Sequence, residues 1–178
     1  MKELLLVVYM GGTCGDLVTM LYDSSNGQVT ENKIILSKDR GKLKKPHLFK
    51  NNSEKDQYLI EISKYYNSIP SHDLAYHIER KHEFIGITVD DFKVALWAAE
   101  RFKQLHRPHV WEEMTQACGA TTIEQYAEMY IHFSNLIKQH TDNIIKLEDI
   151  VNKRLLDVIT IENYNRSIYT NWLINNNL

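Results

Sequence analysis

The chain has 178 residues, 43% of them hydrophobic and 25% charged, with a formal net charge of −2. That balance fits a globular chain with a substantial core and gives no overall pull toward nucleic acid or an acidic membrane surface. Cys14 and Cys118 are too few for a disulfide framework or a metal quartet, and no apolar stretch is long enough to span a bilayer, so a cytoplasmic location is expected.

Leu4 to Met10 is an unbroken apolar run and predicts a strand buried on both faces. It is too short for a signal peptide and lacks a basic n-region and a small-residue cleavage site, so it reads as structure. Gly11, Gly12, Thr13, Cys14 and Gly15 follow as a loop, and from Asp16 onward Leu17, Val18, Met20 and Leu21 have helical spacing. A strand, a glycine loop and a helix N-terminus place backbone N–H groups where they can face a phosphate or sulfate. No lysine stands in this loop, and the Gly-x-x-x-x-Gly-Lys-Ser/Thr pattern is absent. Asp16 favours the helix start but repels an anion. The same glycines also suit a tight turn with close helix packing, and Cys14 reads either as a thiol acidified by the helix end or as a small buried side chain.

Asp23 to Gly27 is a turn cluster, and Lys33 to Leu36 a short strand or an apolar anchor in a loop. Lys38 to Lys55 holds seven Lys or Arg against two acids and reads as a basic loop, 38–55. It is either a solvated insertion or a lid whose Lys42, Lys44 and Lys45 neutralise an anion near the glycine loop. A helix is expected over Gln57 to Asn67, a short extended piece over Ile69 to His72 and a brief helix over Leu74 to Arg80. Glu83 to Val89 is the second clear strand, followed by a helix over Phe92 to Leu105 capped by Asp90 or Asp91. Pro108 opens a helix ending near Cys118, and Thr121 or Thr122 caps a long helix, with Gln125 completing a capping box. Asn143 to Glu148 reads as a strand, and a final helix is expected from about Ile161 to Asn175.

Strands alternating with helices predict one α/β domain over 1–178, with a parallel β-sheet flanked by helices. Ligands of such folds bind beyond the carboxyl ends of the strands, here Gly11 to Gly15, Ser71 to Asp73, Thr88 to Asp91 and Glu148–Asp149. His72 has the ordinary imidazole pKa of a general base, with Asp73 able to orient it or to stay in solvent. The eight histidines do not form a recognised metal pattern, and those at 72, 77, 82, 106 and 109 read as surface residues. Trp97, Trp111 and Trp172 are core or interface aromatics, which leaves a homo-oligomer open, and the basic stretch lacks the aromatic interleaving of a nucleic-acid module.

In their order these motifs resemble the sulfotransferase family in a minimal, divergent form, with its P-loop three-layer sandwich. Tyr9 to Gly15 occupies the place of the 5′-phosphosulfate loop. Ser71–His72 looks like the family's Thr-His pair, Phe84 to Arg101 like its second nucleotide motif, and Ile145 to Ile150 like the strand ending in Tyr-Glu-Asp-Leu. The resemblance implies transfer of a sulfuryl group from 3′-phosphoadenosine 5′-phosphosulfate (PAPS) to a hydroxyl or amine, with His72 as base. Three family features are missing. Gly11 stands where the loop lysine is expected, Val89 and Trp97 stand at the Arg and Ser of the 3′-phosphate site, and the C-terminal Arg-Lys-Gly segment is absent. The alternative is a non-catalytic binding or assembly module of the same fold with a degenerate donor site, and a third reading is a nucleotide-dependent phosphotransferase. No metal is expected, and the implied partner is a small molecule or nucleotide.

Overall fold

The computed structural model describes residues 4–25, 49–64, 66–106, 108–155, 166–175 and 177–178. Its strands are β1 (Leu5–Val8), β2 (Ser68–Ser71), β3 (Phe84–Thr88) and β4 (Ile144–Lys146). Its helices are α1 (Gly15–Ser25), α2 (Asn52–Ile62), α3 (Leu74–Glu79), α4 (Phe92–Leu105), α5 (Pro108–Cys118), α6 (Ile123–Lys138), α7 (Leu147–Val151) and α8 (Arg166–Asn175). The four strands form one sheet in the order β2-β1-β3-β4, with every pairing parallel. Helices flank it, as the alternation in the sequence predicts.

The unbroken apolar run of β1 has its cause in that cover. Val7 packs with Leu17, Val18 and Leu21 of α1, while Leu6 and Val8 join a second cluster with Leu59, Ile69, Tyr76 and Ile137. Alternate residues of one strand thus serve two cores. Pro70 is accommodated because β2 lies at the edge of the sheet formed by the described residues.

From β1 the chain moves to β2 on one side and then to β3 on the other. A doubly wound sheet leaves its crevice at such a reversal, outside the carboxyl ends of the two central strands. Gly11 to Gly15 follow the end of β1, and Val89 to Asp91 follow the end of β3. Side-chain caps fix two of the helix starts: the Asp91 carboxylate accepts from Lys93 N–H at 2.7 Å, and Thr122 Oγ1 accepts from Gln125 N–H at 3.2 Å.

Three boundaries differ from expectation. The basic stretch is not a loop to Lys55, because α2 starts at Asn52 and ends at Ile62. The Asn51 side chain accepts from Glu54 N–H, and Glu54 returns a carboxylate to the Asn51 amide group, 2.9 Å in each case. β4 stops at Lys146 because Leu147 already begins a helix. Lys33 to Leu36, Lys42, Lys44, Lys45 and the start of the last helix lie outside the described residues. Among those described, no helix is long and apolar enough to cross a membrane.

Candidate functional site

The glycine loop follows Tyr9, and its turn uses left-handed backbone at Gly12 (φ 97°) and Cys14 (φ 67°). Thr13 closes it, with both its N–H (3.1 Å) and its hydroxyl (2.7 Å) donating to the Met10 carbonyl. The first-turn N–H groups of α1, at Gly15, Asp16 and Leu17, have no intrahelical acceptor by the geometry of any helix start. Packing explains why glycines stand here. A Cβ on Gly15 would lie 2.2 Å from the Tyr9 ring, and one on Gly11 would lie 2.9 Å from Phe102 Cε2. At Gly12 it would meet the Tyr130 hydroxyl at 2.7 Å, and that hydroxyl donates to the Gly11 carbonyl. Close approach of Tyr9, α4 and α6 is thus sufficient to require them.

Cys14 is buried, and burial pushes its thiol up to about 12 against the opposing field of Arg101. Burial thus disfavours the thiolate, and Cys14 contributes backbone and a small buried side chain. Tyr9 is also buried, its hydroxyl donating to Asp16 Oδ2 at 3.2 Å, and its ionisation is pushed well up by burial and then by that carboxylate.

His72 is brought to this loop. Its Nδ1 lies 2.8 Å from the Tyr9 carbonyl and its ring centroid 4.2 Å from that of Tyr9. A carbonyl only accepts, so Nδ1 donates, and the neutral ring carries its lone pair on Nε2. Asp73 does not orient His72. Its Oδ2 pairs with Lys55 Nζ at 2.6 Å and its Oδ1 caps α3 through Tyr76 N–H at 3.2 Å.

Ser71 turns away from His72. Its Oγ meets His77 Nε2 at 2.7 Å, and His77 Nδ1 meets His82 Nδ1 at 3.1 Å. His77 is completely buried rather than a surface residue, and desolvation, then the neighbouring His82, lowers it to about 4. The ring centroids of His77 and His82 are 5.4 Å apart. That is the spacing of two rings meeting head-on, which suits an N–H···N hydrogen bond and not convergence on a metal. No group of three metal-ligating side chains is arranged to hold an ion among the described residues.

The carboxyl end of β3 is closed by the chain itself. Glu148 Oε1 accepts from Asp90 N–H (2.6 Å) and Asp91 N–H (2.7 Å), Asp90 pairs with Lys138 and Lys146, and Val89 N–H donates to Ser134 Oγ. Asp90 is held below the usual carboxylate range, first by its hydrogen bond from Lys138.

A cavity of about 490 Å³ is lined by Gly12, Cys14, Gly15, Asp16, Arg101 and Trp172 among others. Its size is that of a small-molecule site. Arg101 is the residue that motif reading overlooked. With Ala98, Phe102 and Leu105 it makes an i, i+3, i+4, i+7 face, so a cation inside the apolar period of α4 was the available signal. Comparison of the chain with protein-family models, curated proteins and solved structures gave no match.

Proposed function

We propose that this chain is a sulfotransferase-like α/β protein that holds an oxyanion-bearing donor at the glycine loop and uses His72 as the base for a hydroxyl or amine acceptor. One contact carries the reading: the His72 Nδ1–H···O=C bond to Tyr9 at 2.8 Å. It ties the base to the loop that would hold the donor and sets the neutral tautomer with its proton on Nδ1. The backbone N–H groups of Gly15 and Asp16 face charge building on the transferring group, and His72 takes the acceptor's proton as the bond to the acceptor forms and the donor's bond to its nucleotide leaving group breaks.

The residues present do not fit PAPS in the family's manner. Where its 3′-phosphate belongs, the end of β3 carries the carboxylates of Asp90 and Glu148, and the amides there already donate to Glu148. The donor in this reading carries its charge at the glycine loop alone, and sulfuryl and phosphoryl donors share that chemistry.

Thermal shift and calorimetry with adenosine 5′-phosphosulfate, ATP, PAPS and 3′-phosphoadenosine 5′-phosphate test it. A donor at 100 times its dissociation constant stabilises the fold by about 2.7 kcal/mol, and the 3′-phosphate adds no affinity. Silence from all four ligands sinks the reading. Where binding is found, His72→Ala is expected to retain it and abolish transfer.

The second reading, a non-catalytic module of the same fold, is favoured by Glu148 lying on the amides of Asp90 and Asp91. Binding without turnover of any hydroxyl or amine acceptor by the wild-type chain would select it.

A further inference from the structure

We propose that Ser71, His77 and His82 form a tautomeric relay, by which a proton taken up at His82 turns round the hydrogen bond at Ser71, the residue next to His72. The contacts are continuous. Asp73 N–H donates to Ser71 Oγ at 3.2 Å, Ser71 Oγ lies 2.7 Å from His77 Nε2, and His77 Nδ1 lies 3.1 Å from His82 Nδ1. Ser71 and His77 are fully buried, whereas His82 is half-buried. His82 also lines a cavity of about 580 Å³ at the amino ends of β3 and β4. The relay therefore has one end sealed on β2 and the other open to solvent.

Hydrogen counting fixes its direction at neutral pH. Two ring nitrogens in contact need one N–H and one lone pair between them. With the hydrogen on His77 Nδ1, Ser71 O–H donates to His77 Nε2, and the contacts from Asp73 to His82 are all donor-to-acceptor. With the hydrogen on His82 Nδ1, His77 Nε2–H donates to Ser71 Oγ, which then accepts twice. The Ser71 hydrogen is left with no other acceptor among the described residues. A buried donor left unpaired is disfavoured, so the first arrangement is the resting one. Its hydrogens sit on Ser71 Oγ, His77 Nδ1 and His82 Nε2.

One proton from solvent reverses the order. The half-buried ring takes the charge before the fully buried one, and the two rings cannot present N–H groups to each other. His82 then carries hydrogen on both nitrogens and donates through Nδ1. His77 keeps one hydrogen, now on Nε2, and Ser71 Oγ accepts it. The neighbouring charges act on both rings. Asp56 of α2 favours the His82 cation, against its desolvation and Arg80. Burial, His82 and Lys55 oppose a charge on His77, and Asp73 favours it. Tyr76 lies beside both rings, and Lys81, Glu83, His140 and Asp142 stand at the cavity. The result is a pH-sensitive element in the β2–α3 connection, separate from the glycine loop.

Proton–nitrogen correlation NMR of the imidazoles tells a protonated ring nitrogen from a bare one and tests the relay from about pH 8 down to acid unfolding. In the wild type at about pH 8 we expect the His77 hydrogen on Nδ1 and the His82 hydrogen on Nε2. On acidification His82 should gain its second proton while the His77 hydrogen moves to Nε2 with the same midpoint. The Asp73 amide resonance should shift with them. His82→Phe keeps a ring at the position and should lose this step at both His77 and Asp73. The relay is overturned by a His77 hydrogen on Nε2 at about pH 8, or by a His77 tautomer that holds while His82 titrates. It is equally overturned by a His82 ring that stays neutral until the chain unfolds, by an Asp73 amide that does not respond, or by a tautomer step retained in His82→Phe. Should His82→Phe fail to fold by circular dichroism, the wild-type titration decides alone.

Discussion

Glu148 reaches from the start of α7 to the end of β3, where one carboxylate oxygen accepts hydrogen bonds from the amides of both Asp90 and Asp91. Its other oxygen, Oε2, is buried with no hydrogen-bond partner among the described residues. The end of a central strand, an anion site in many parallel sheets, here holds an anion that belongs to the chain. Glu148→Ala leaves two amides without their acceptor, and a loss of about 1–3 kcal/mol is expected in urea denaturation. Glu148→Gln keeps an acceptor oxygen and is expected to lose less. Sulfate should stabilise Glu148→Ala more than wild type, because it can take the vacated amides; equal salt responses would show that the strand end does not bind anions.

Close packing at the loop makes a separate prediction. Gly15→Ala puts a methyl 2.2 Å from the Tyr9 ring, and the ring has to shift. Overpacking of this kind costs about 1–3 kcal/mol. Tyr9→Leu in the same chain should recover part of that loss, so a double-mutant cycle is expected to be non-additive. Additive losses would mean that Gly15 serves something other than room for Tyr9.

Much of this arrangement is legible in the sequence, and the failures have physical causes. β1 and β3 are readable because both faces of each are covered, so apolar residues run without a break. α4 matches its expected bounds because Asp91 provides the cap and Pro108 the break beyond. The helix expected over Gln57 to Asn67 is found at Asn52–Ile62, and its start is masked in the sequence by Asn51-Asn52-Ser53: these residues favour turns, but they cap helices equally well, and Glu54 three residues after Asn51 is the deciding signal. His77 was misread as a surface residue because α3 is too short for its buried face to show a period. Its burial depends on Ser71 and His82, a contact set that spacing does not reveal. Arg101 was passed over for the opposite reason, since α4 was read only for its apolar stripe.

His77 gives the chain a pH dependence. Its folded-state value of about 4 lies below the ordinary 6.5 because burial disfavours the charged ring, with the nearby His82 acting in the same direction. Asp73 opposes that shift and Lys55 adds to it. Between these two values the unfolded chain binds a proton that the folded chain refuses. Stability is therefore fully present above about pH 6.5 and falls as pH drops toward 4, by about 3 kcal/mol for this group. His77→Asn removes the titration, so its stability should vary less than wild type over that window in urea melts at stepped pH. Parallel curves for the two proteins would rule His77 out as the source.

Asp73 separates positioning from chemistry at the residue beside His72. Its carboxylate caps α3 and pairs with Lys55, both side chains being largely buried. Asp73→Ala removes the cap and leaves the Lys55 ammonium unpaired by this carboxylate, so a loss of roughly 1–3 kcal/mol is expected, about 1 of it from the cap. Asp73→Asn keeps a good capping side chain and surrenders only the charge, and it should lie between Ala and wild type. In any transfer assay the wild type supports, Asp73→Asn should leave the pH–rate profile in place, because the His72 Nδ1 proton is held by the Tyr9 carbonyl. His72→Ala should eliminate the rate. A shift in the apparent pKa of the rate on Asp73→Asn would instead assign Asp73 to the base, and would require the Lys55 pair to open during turnover.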